Sequence, residues 1–111
     1  MYWVYHSNLR LNVFMATETK LKKVALLAKK LQTVGDPTRL KILCHLFKAK
    51  KACVSDIGLE LGMNVAIVSH HLQVLSKEGL LEFDREGKKI CYHLSGEDFM
   101  KDLKRFVCKY E

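Results

Sequence analysis

The side chains of this 111-residue chain best suited to chemistry are four cysteines, Cys44, Cys53, Cys91 and Cys108, and the adjacent histidines His70 and His71. A thiolate can attack sulfur, be oxidised or ligate a soft metal, and two thiols are the least that can begin and resolve an oxidation. The cysteines lack the close spacing of a zinc knuckle, so they are read as thiols of a reducing compartment rather than as a disulfide framework. His70 and His71 stand about 100° apart on a helix, which suits phosphate contact by one and packing by the other better than a shared metal. His45 has no second ligand at a useful spacing.

A cysteine enzyme would also need a base held by a third group, and no connection exceeds the few residues of an ordinary turn, so an enzyme is not expected. Nineteen Lys and Arg against twelve Asp and Glu give a net charge of +7, which favours an anionic partner, either nucleic acid or an acidic membrane surface. No apolar run approaches the roughly 20 residues of a membrane span, and no signal-peptide pattern is present, so a cytoplasmic protein without membrane contact is expected. An apolar fraction of 49% is ample for one small core.

Those side chains must be held by helices first. Residues 1–14 show no helical period and are read as an N-terminal extension, either disordered or an arm packing Tyr2, Trp3, Val4 and Tyr5 on a partner. Residues 15–111 form the domain. From Thr17 to Val34, Leu21, Val24, Ala28 and Leu31 recur at three and four, with lysines opposite. Gly35 ends this helix, and Asp36-Pro37 caps a second one to about Lys48, in which Leu40, Leu43, Cys44 and Phe47 share an inward face and His45 lies on a flank. Ala52 to Val54 reads as a short strand. Ser55 is placed to cap a third helix with Ile57, Leu59 and Leu61, and Gly62-Met63 breaks it before Asn64 caps a fourth.

The fourth helix, Val65 to Lys77, turns Val68, Leu72 and Leu75 inward. Its other face carries Ala66, Ser69, His70, Gln73 and Lys77, either an ordinary solvated surface or side chains that enter a DNA major groove. After Gly79, Leu81 and Phe83 alternate with polar residues, Glu86-Gly87-Lys88 turns the chain, and Ile90, Tyr92 and Leu94 alternate back. Arg85, Lys88 and Lys89 give this hairpin a basic tip suited to phosphate, diluted by Asp84 and Glu86. Cys91 falls opposite Ile90 and Tyr92, on the face expected to be exposed. A last helix from about Gly96 to Tyr110 presents Phe99, Leu103, Phe106, Val107 and Tyr110, enough apolar surface to pack on another subunit. The expected fold is mainly α with a small β-hairpin wing, a dimeric winged helix-turn-helix.

The stretches VGDPTRLKILCHL (34–46), CVSDIGLELGMNVAIVSHHLQVLSKEGLL (53–81) and REGKKICYHL (85–94) resemble the ArsR/SmtB family of winged-helix repressors over about residues 20–108. The resemblance implies a homodimer joined through the first and last helices, an inverted-repeat operator in double-stranded DNA, and an effector that weakens binding. Carried over by position, Asn64, Val65, Ala66, Ser69, His70 and Gln73 face the groove; many relatives have Ser-Gln where this chain has Asn64-Val65, which removes a possible adenine contact. Of the family's metal sites, the thiolate site keeps only Cys53 of its CVC motif, and the last helix has Glu97, Asp98 and Asp102 but no histidine, so no metal is expected, with Cys53 the alternative ligand.

Cys44 and Cys108 resemble instead the pair in the family's branch of two-cysteine sensors of reactive sulfur and oxidants (the BigR, SqrR and HlyU type). That likeness implies a bridge between them, formed by persulfide, polysulfide or oxidant, that releases DNA. Against it stand Cys44 as a small core side chain, and arsenite or a soft metal as the effector. A module that binds protein through its last helix is a third class.

Overall fold

The computed structural model describes residues 7–111, with side chains from residue 17; the aromatic run at residues 2–5 lies outside the described residues. The chain divides between residues 32 and 33 into two compact units. The first holds α1 (Ser7–Val34) up to its last turn. Residues 7–14 are helical although no apolar period marks them, because SNLRLNVF contains neither proline nor glycine to stop a helix. The stripe expected of α1, Leu21, Val24, Ala28 and Leu31, is exposed throughout, and Leu27 beside it is 46% exposed.

The second unit continues through α2 (Pro37–Ala49), β1 (Lys51–Cys53), α3 (Val54–Leu61), α4 (Val65–Lys77), β2 (Leu81–Glu86), β3 (Lys89–Leu94) and α5 (Asp98–Tyr110). Asp36 begins α2 by accepting a hydrogen bond from the Arg39 backbone N–H at 3.0 Å, with Pro37 at the first helical position where no N–H is missed. The Arg39 Nε then donates to the Thr33 carbonyl at 2.6 Å, which fixes the turn before α2.

Ile42, Leu43, Leu46 and Phe47 of α2 are buried, with Ile57 of α3 and Val68, Leu72 and Leu75 of α4. This set forms the helical centre of the core, and of the expected Leu40-Leu43-Cys44-Phe47 face Leu43 and Phe47 are buried in it. Leu40 and Cys44 sit half-buried at its edge because the apolar stripe of α2 is wider than one seam. Two details of α3 also differ from expectation. Cys53, not Ser55, occupies the N-cap and gives no side-chain cap hydrogen bond, and Leu59 is 85% exposed while Ile57 carries the contact with the core.

Gly62 ends α3 with φ +65°, a left-handed conformation that lets its N–H reach the Gly58 and Leu59 carbonyls. Asn64 then caps α4, its Oδ1 accepting from the Ala66 N–H at 2.7 Å. Two caps separated by one residue set the angle between α3 and α4.

The sheet has the order β1-β3-β2 and is antiparallel throughout. Gly87, with φ +65°, takes the first of two turn positions between β2 and β3, the pattern of a type II′ hairpin. Register pairs Ala52 with Tyr92 and Phe83 with Tyr92 on the face toward the core, and Cys53 with Cys91 and Asp84 with Cys91 on the other.

The Arg39 backbone N–H, ahead of the smaller effects around it, holds the Asp36 carboxyl below its ordinary pKa. A depressed native pKa means the charged cap stabilises the fold above the unfolded value of about 3.9 and is lost as pH falls through the native value. Asp36→Ala is therefore expected to cost about 1 kcal/mol in urea unfolding at neutral pH. The deficit should shrink as the medium is acidified below about pH 4; a deficit independent of pH would assign the loss to something other than the cap.

Candidate functional site

With Val68, Leu72 and Leu75 buried, α4 must turn its other face outward. Asn64, Val65, Ala66, His70, Gln73 and Lys77 are exposed there, and Ser69 is half-buried. Gln73 Nε2 donates to Ser69 Oγ at 3.2 Å, and the cap occupies Asn64 Oδ1, leaving that residue its amide N–H groups for other contacts. The sequence reading missed Ile67, 51% exposed near Val65 and able to offer apolar surface beside the polar donors.

The two histidines diverge as their spacing demands. His71 Nδ1 lies 3.3 Å from Arg39 Nη1, and since arginine only donates, Nδ1 is the acceptor in that contact. His70 is exposed, its ring edge-on to that of His71.

At the wing, Arg85, Lys88 and Lys89 are all exposed. Lys89 Nζ lies 3.8 Å from Asp56 Oδ1 on α3, while Arg85 and Lys88 form no ion pair among the described residues. The basic tip thus offers two uncommitted cations and one partly neutralised.

Cys44 and Cys108 are free thiols, the first half-buried on α2 and the second exposed on α5. An open groove of about 370 Å³ between these helices is lined by Leu40, Cys44, Phe106, Val107, Tyr110 and Glu111. Met100 and Leu103 seat α5 on the core, which leaves Phe106 and Tyr110 as its outward part at 62% and 69% exposure. Burial raises the Cys44 pKa, and the Glu111 carboxylate raises it further by its charge and by accepting from the thiol; the Cys108 sulfur adds to this and Lys48 opposes it. Lys48 Nζ also stands 3.8 Å from Glu111 Oε2. Cys108 is thus close enough for its charge to be felt at Cys44. Glu111 had no signal in the sequence, because nothing local says that the end of α5 lies against the middle of α2.

The other two cysteines depart from expectation. Cys53 and Cys91 are not thiols but are joined by a disulfide across 38 residues of sequence. Cys91, expected on an exposed face, is fully buried. The face is the expected one, but β3 is the central strand, and the Lys51 ammonium on β1 pairs diagonally across it with Glu86 on β2 and with Asp84 at 3.4 Å. These contacts lie over Cys91 and raise the pKa of Lys51, the hydrogen bond to Glu86 most of all. His93 Nε2, on the same face, lies 3.7 Å from Asp84 Oδ2. The Cys53 and Cys91 sulfurs and a Glu86 carboxylate oxygen lie within 4.8 Å of one another.

Among the described residues, no helix is long and apolar enough to cross a membrane. Residues 36–82, from the cap of α2 into β2, match the model of the arsR family of bacterial regulatory proteins. An uncharacterised HTH-type transcriptional regulator of Methanocaldococcus jannaschii, MJ1325, is 33% identical over 87 residues, 78% of this chain and 97% of that protein. A CadC homolog of Staphylococcus aureus, named as a cadmium resistance transcriptional regulatory protein, is 34% identical over 70 residues, 63% of this chain but only 58% of its own length. HlyU from Vibrio cholerae superposes with a TM-score of 0.74 at 25% identity, over 80% of this chain and 95% of that one. The chain belongs to the arsR family of bacterial regulatory proteins and carries a winged helix-turn-helix.

Proposed function

We propose that this chain is a homodimeric repressor that binds an inverted repeat in double-stranded DNA and releases it when Cys44 and Cys108 are modified by a persulfide, polysulfide or oxidant. The observation that carries the effector part is the free Cys44 thiol in the groove between α2 and α5, with the Glu111 carboxylate at it and the charge of the free Cys108 felt there. The DNA part is supported by the outward polar face of α4 beside the uncommitted Arg85 and Lys88. A second copy is supported by the exposed stripe of α1 and by Phe106 and Tyr110 of α5. Two recognition helices related by a twofold axis read two half-sites of opposite sense.

Exposure sets the order of the sulfur chemistry. The Cys108 thiolate attacks the sulfane sulfur of a persulfide, gaining that sulfur and expelling the carrier thiolate. Cys44 gives its proton to Glu111 and attacks the Cys108 sulfur, expelling hydrosulfide and leaving a disulfide between α2 and α5. Uptake of a further sulfane sulfur before this step lengthens the bridge. Either product ties α5 to α2 and biases the dimer geometry that spaces the recognition helices. Arsenite or a soft metal is the competing effector, supported by the cadmium-resistance name of one relative; a bound ion and a covalent bridge differ in mass.

In a Cys108→Ser background, the pH profile of Cys44 alkylation by iodoacetamide is expected to have its midpoint above the ordinary cysteine range. Glu111→Gln should move that midpoint down and speed alkylation at neutral pH, because a neutral amide no longer opposes the thiolate. An unchanged profile would remove Glu111 from the scheme.

With duplex selected from a random pool, polysulfide treatment should weaken binding about tenfold or more at fixed salt, within the usual roughly 5–150-fold span of effector coupling. Peptide mass should show Cys44 linked to Cys108. Cys44→Ser is expected to hold its DNA after treatment, and the Cys53→Ser/Cys91→Ser variant to release it; full release by Cys44→Ser would sink the dithiol mechanism.

A further inference from the structure

We infer that the wing sheet carries a second site, in which the reduced sulfurs of Cys53 and Cys91 and the carboxylate of Glu86 bind one thiophilic divalent cation. The disulfide is the oxidised form of the same site, which refuses the cation. The three donors come from β1, β3 and β2, and their ligating atoms lie within 4.8 Å of one another. That separation suits ligands around a single ion, since a tetrahedral zinc-type centre with sulfur at about 2.3 Å and carboxylate oxygen at about 2.0–2.2 Å keeps its ligands within such a span.

The sheet places them without help from any loop. Cys53 stands opposite Cys91 in the β1–β3 register, and Glu86, paired with Lys89, is the diagonal neighbour of Cys91 on the same face. Asp84 stands opposite Cys91 on its other side, on the same face of the sheet. Two thiolates select a soft or borderline ion such as Cd2+ or Zn2+ over Mg2+ or Ca2+, which take oxygen ligands.

Charge balances as well. Two thiolates and one carboxylate around a divalent ion leave one negative charge, and the Lys51 ammonium, already paired with Glu86, stands beside it to neutralise that charge. Full burial of Cys91 keeps its sulfur from water, while Glu86 leaves the centre open on the solvent side. The exchange of states is a balanced one. A dithiol or phosphine reductant supplies two electrons and is itself oxidised, two protons convert the disulfide to two thiols, and the cation releases those protons on binding. Because Glu86 begins the turn that carries Gly87 and Lys88, the cation would tie the wing tip to β1. None of this uses Cys44, Cys108 or α4, so it stands or falls apart from the proposed effector chemistry.

The test titrates Cd2+ into the full chain carrying Cys44→Ser and Cys108→Ser, and follows the thiolate-to-cadmium charge-transfer absorption before and after phosphine reduction. One equivalent should bind after reduction and none before. Cys53→Ser and Cys91→Ser should each abolish the two-thiolate band, and Glu86→Gln, at an exposed position, should weaken binding tenfold or more even if the buried Cys91→Ser variant does not fold. Cd2+ should also protect Cys53 from alkylation in the reduced chain. Absence of the band after reduction, or a band and affinity unmoved by both Cys53→Ser and Glu86→Gln, would overturn the site.

Discussion

The seat of α4 in the core is the constraint from which most of this molecule follows. Val68, Leu72 and Leu75 recur at four and three along α4 and are fully buried with Leu43, Leu46 and Ile57. Each such side chain contributes roughly 1.5–3 kcal/mol by leaving water, more than the ~1 kcal/mol of a helix cap. Packing therefore determines which face of α4 is outward, while the caps at Asn64 and Gly62 decide where the helix starts and how it leaves α3. The polar surface from Asn64 to Lys77 is a consequence of that burial. Arg39 binds the same helix from the side, linking the Thr33 carbonyl to His71.

Net charge alone would have made the wing a positive surface, and its detail is otherwise. The sheet face away from the core carries Glu82, Asp84 and Glu86 on β2, set against Lys51 on β1 and His93 on β3. These opposite charges pair across strands, where each exposed pair contributes little to stability, but together they roof Cys91. Within the wing, the exposed basic groups without an acidic partner among the described residues are Arg85 and Lys88 near the hairpin tip. A protein with a formal charge of +7 thus presents a small acidic face directly beside its basic tip.

Local signals in the sequence located the elements well where one residue type determines the backbone. The α4 limits Val65–Lys77 follow from Asn64 and the glycine at 79, and α2 from Asp36-Pro37. Polar caps and prolines act within a turn, so they are legible from neighbours. The misses were of another kind. Cys91 alternates as expected, but its burial depends on β3 being central, and its bond to Cys53 depends on a register between segments 38 residues apart. No period within either segment contains that register. Cys44 failed in a subtler way: the helical wheel gave its direction roughly, but only the position of α5 decides whether that direction ends in core or at a groove. Glu111 was invisible for the same reason.

The two cysteine pairs consequently constrain different things. Cys53 and Cys91 bracket α3, α4 and β2, and closing a loop of 38 residues limits the unfolded chain by up to about 4 kcal/mol on the chain-entropy account. The strands they join are already held by the sheet, so a bond there stabilises the helix-turn-helix and wing as a unit without reorienting either. Cys44 and Cys108 are free thiols on two helices, α2 and α5, with no hydrogen-bonded register between them. Under the proposed effector chemistry, a covalent link between them would select among arrangements of α5 on α2, which the sheet-bound pair does not do. Burial and Glu111 raise the Cys44 pKa and so favour its thiol form. In the proposed scheme the exposed Cys108 meets the effector first and the half-buried Cys44 closes the bridge.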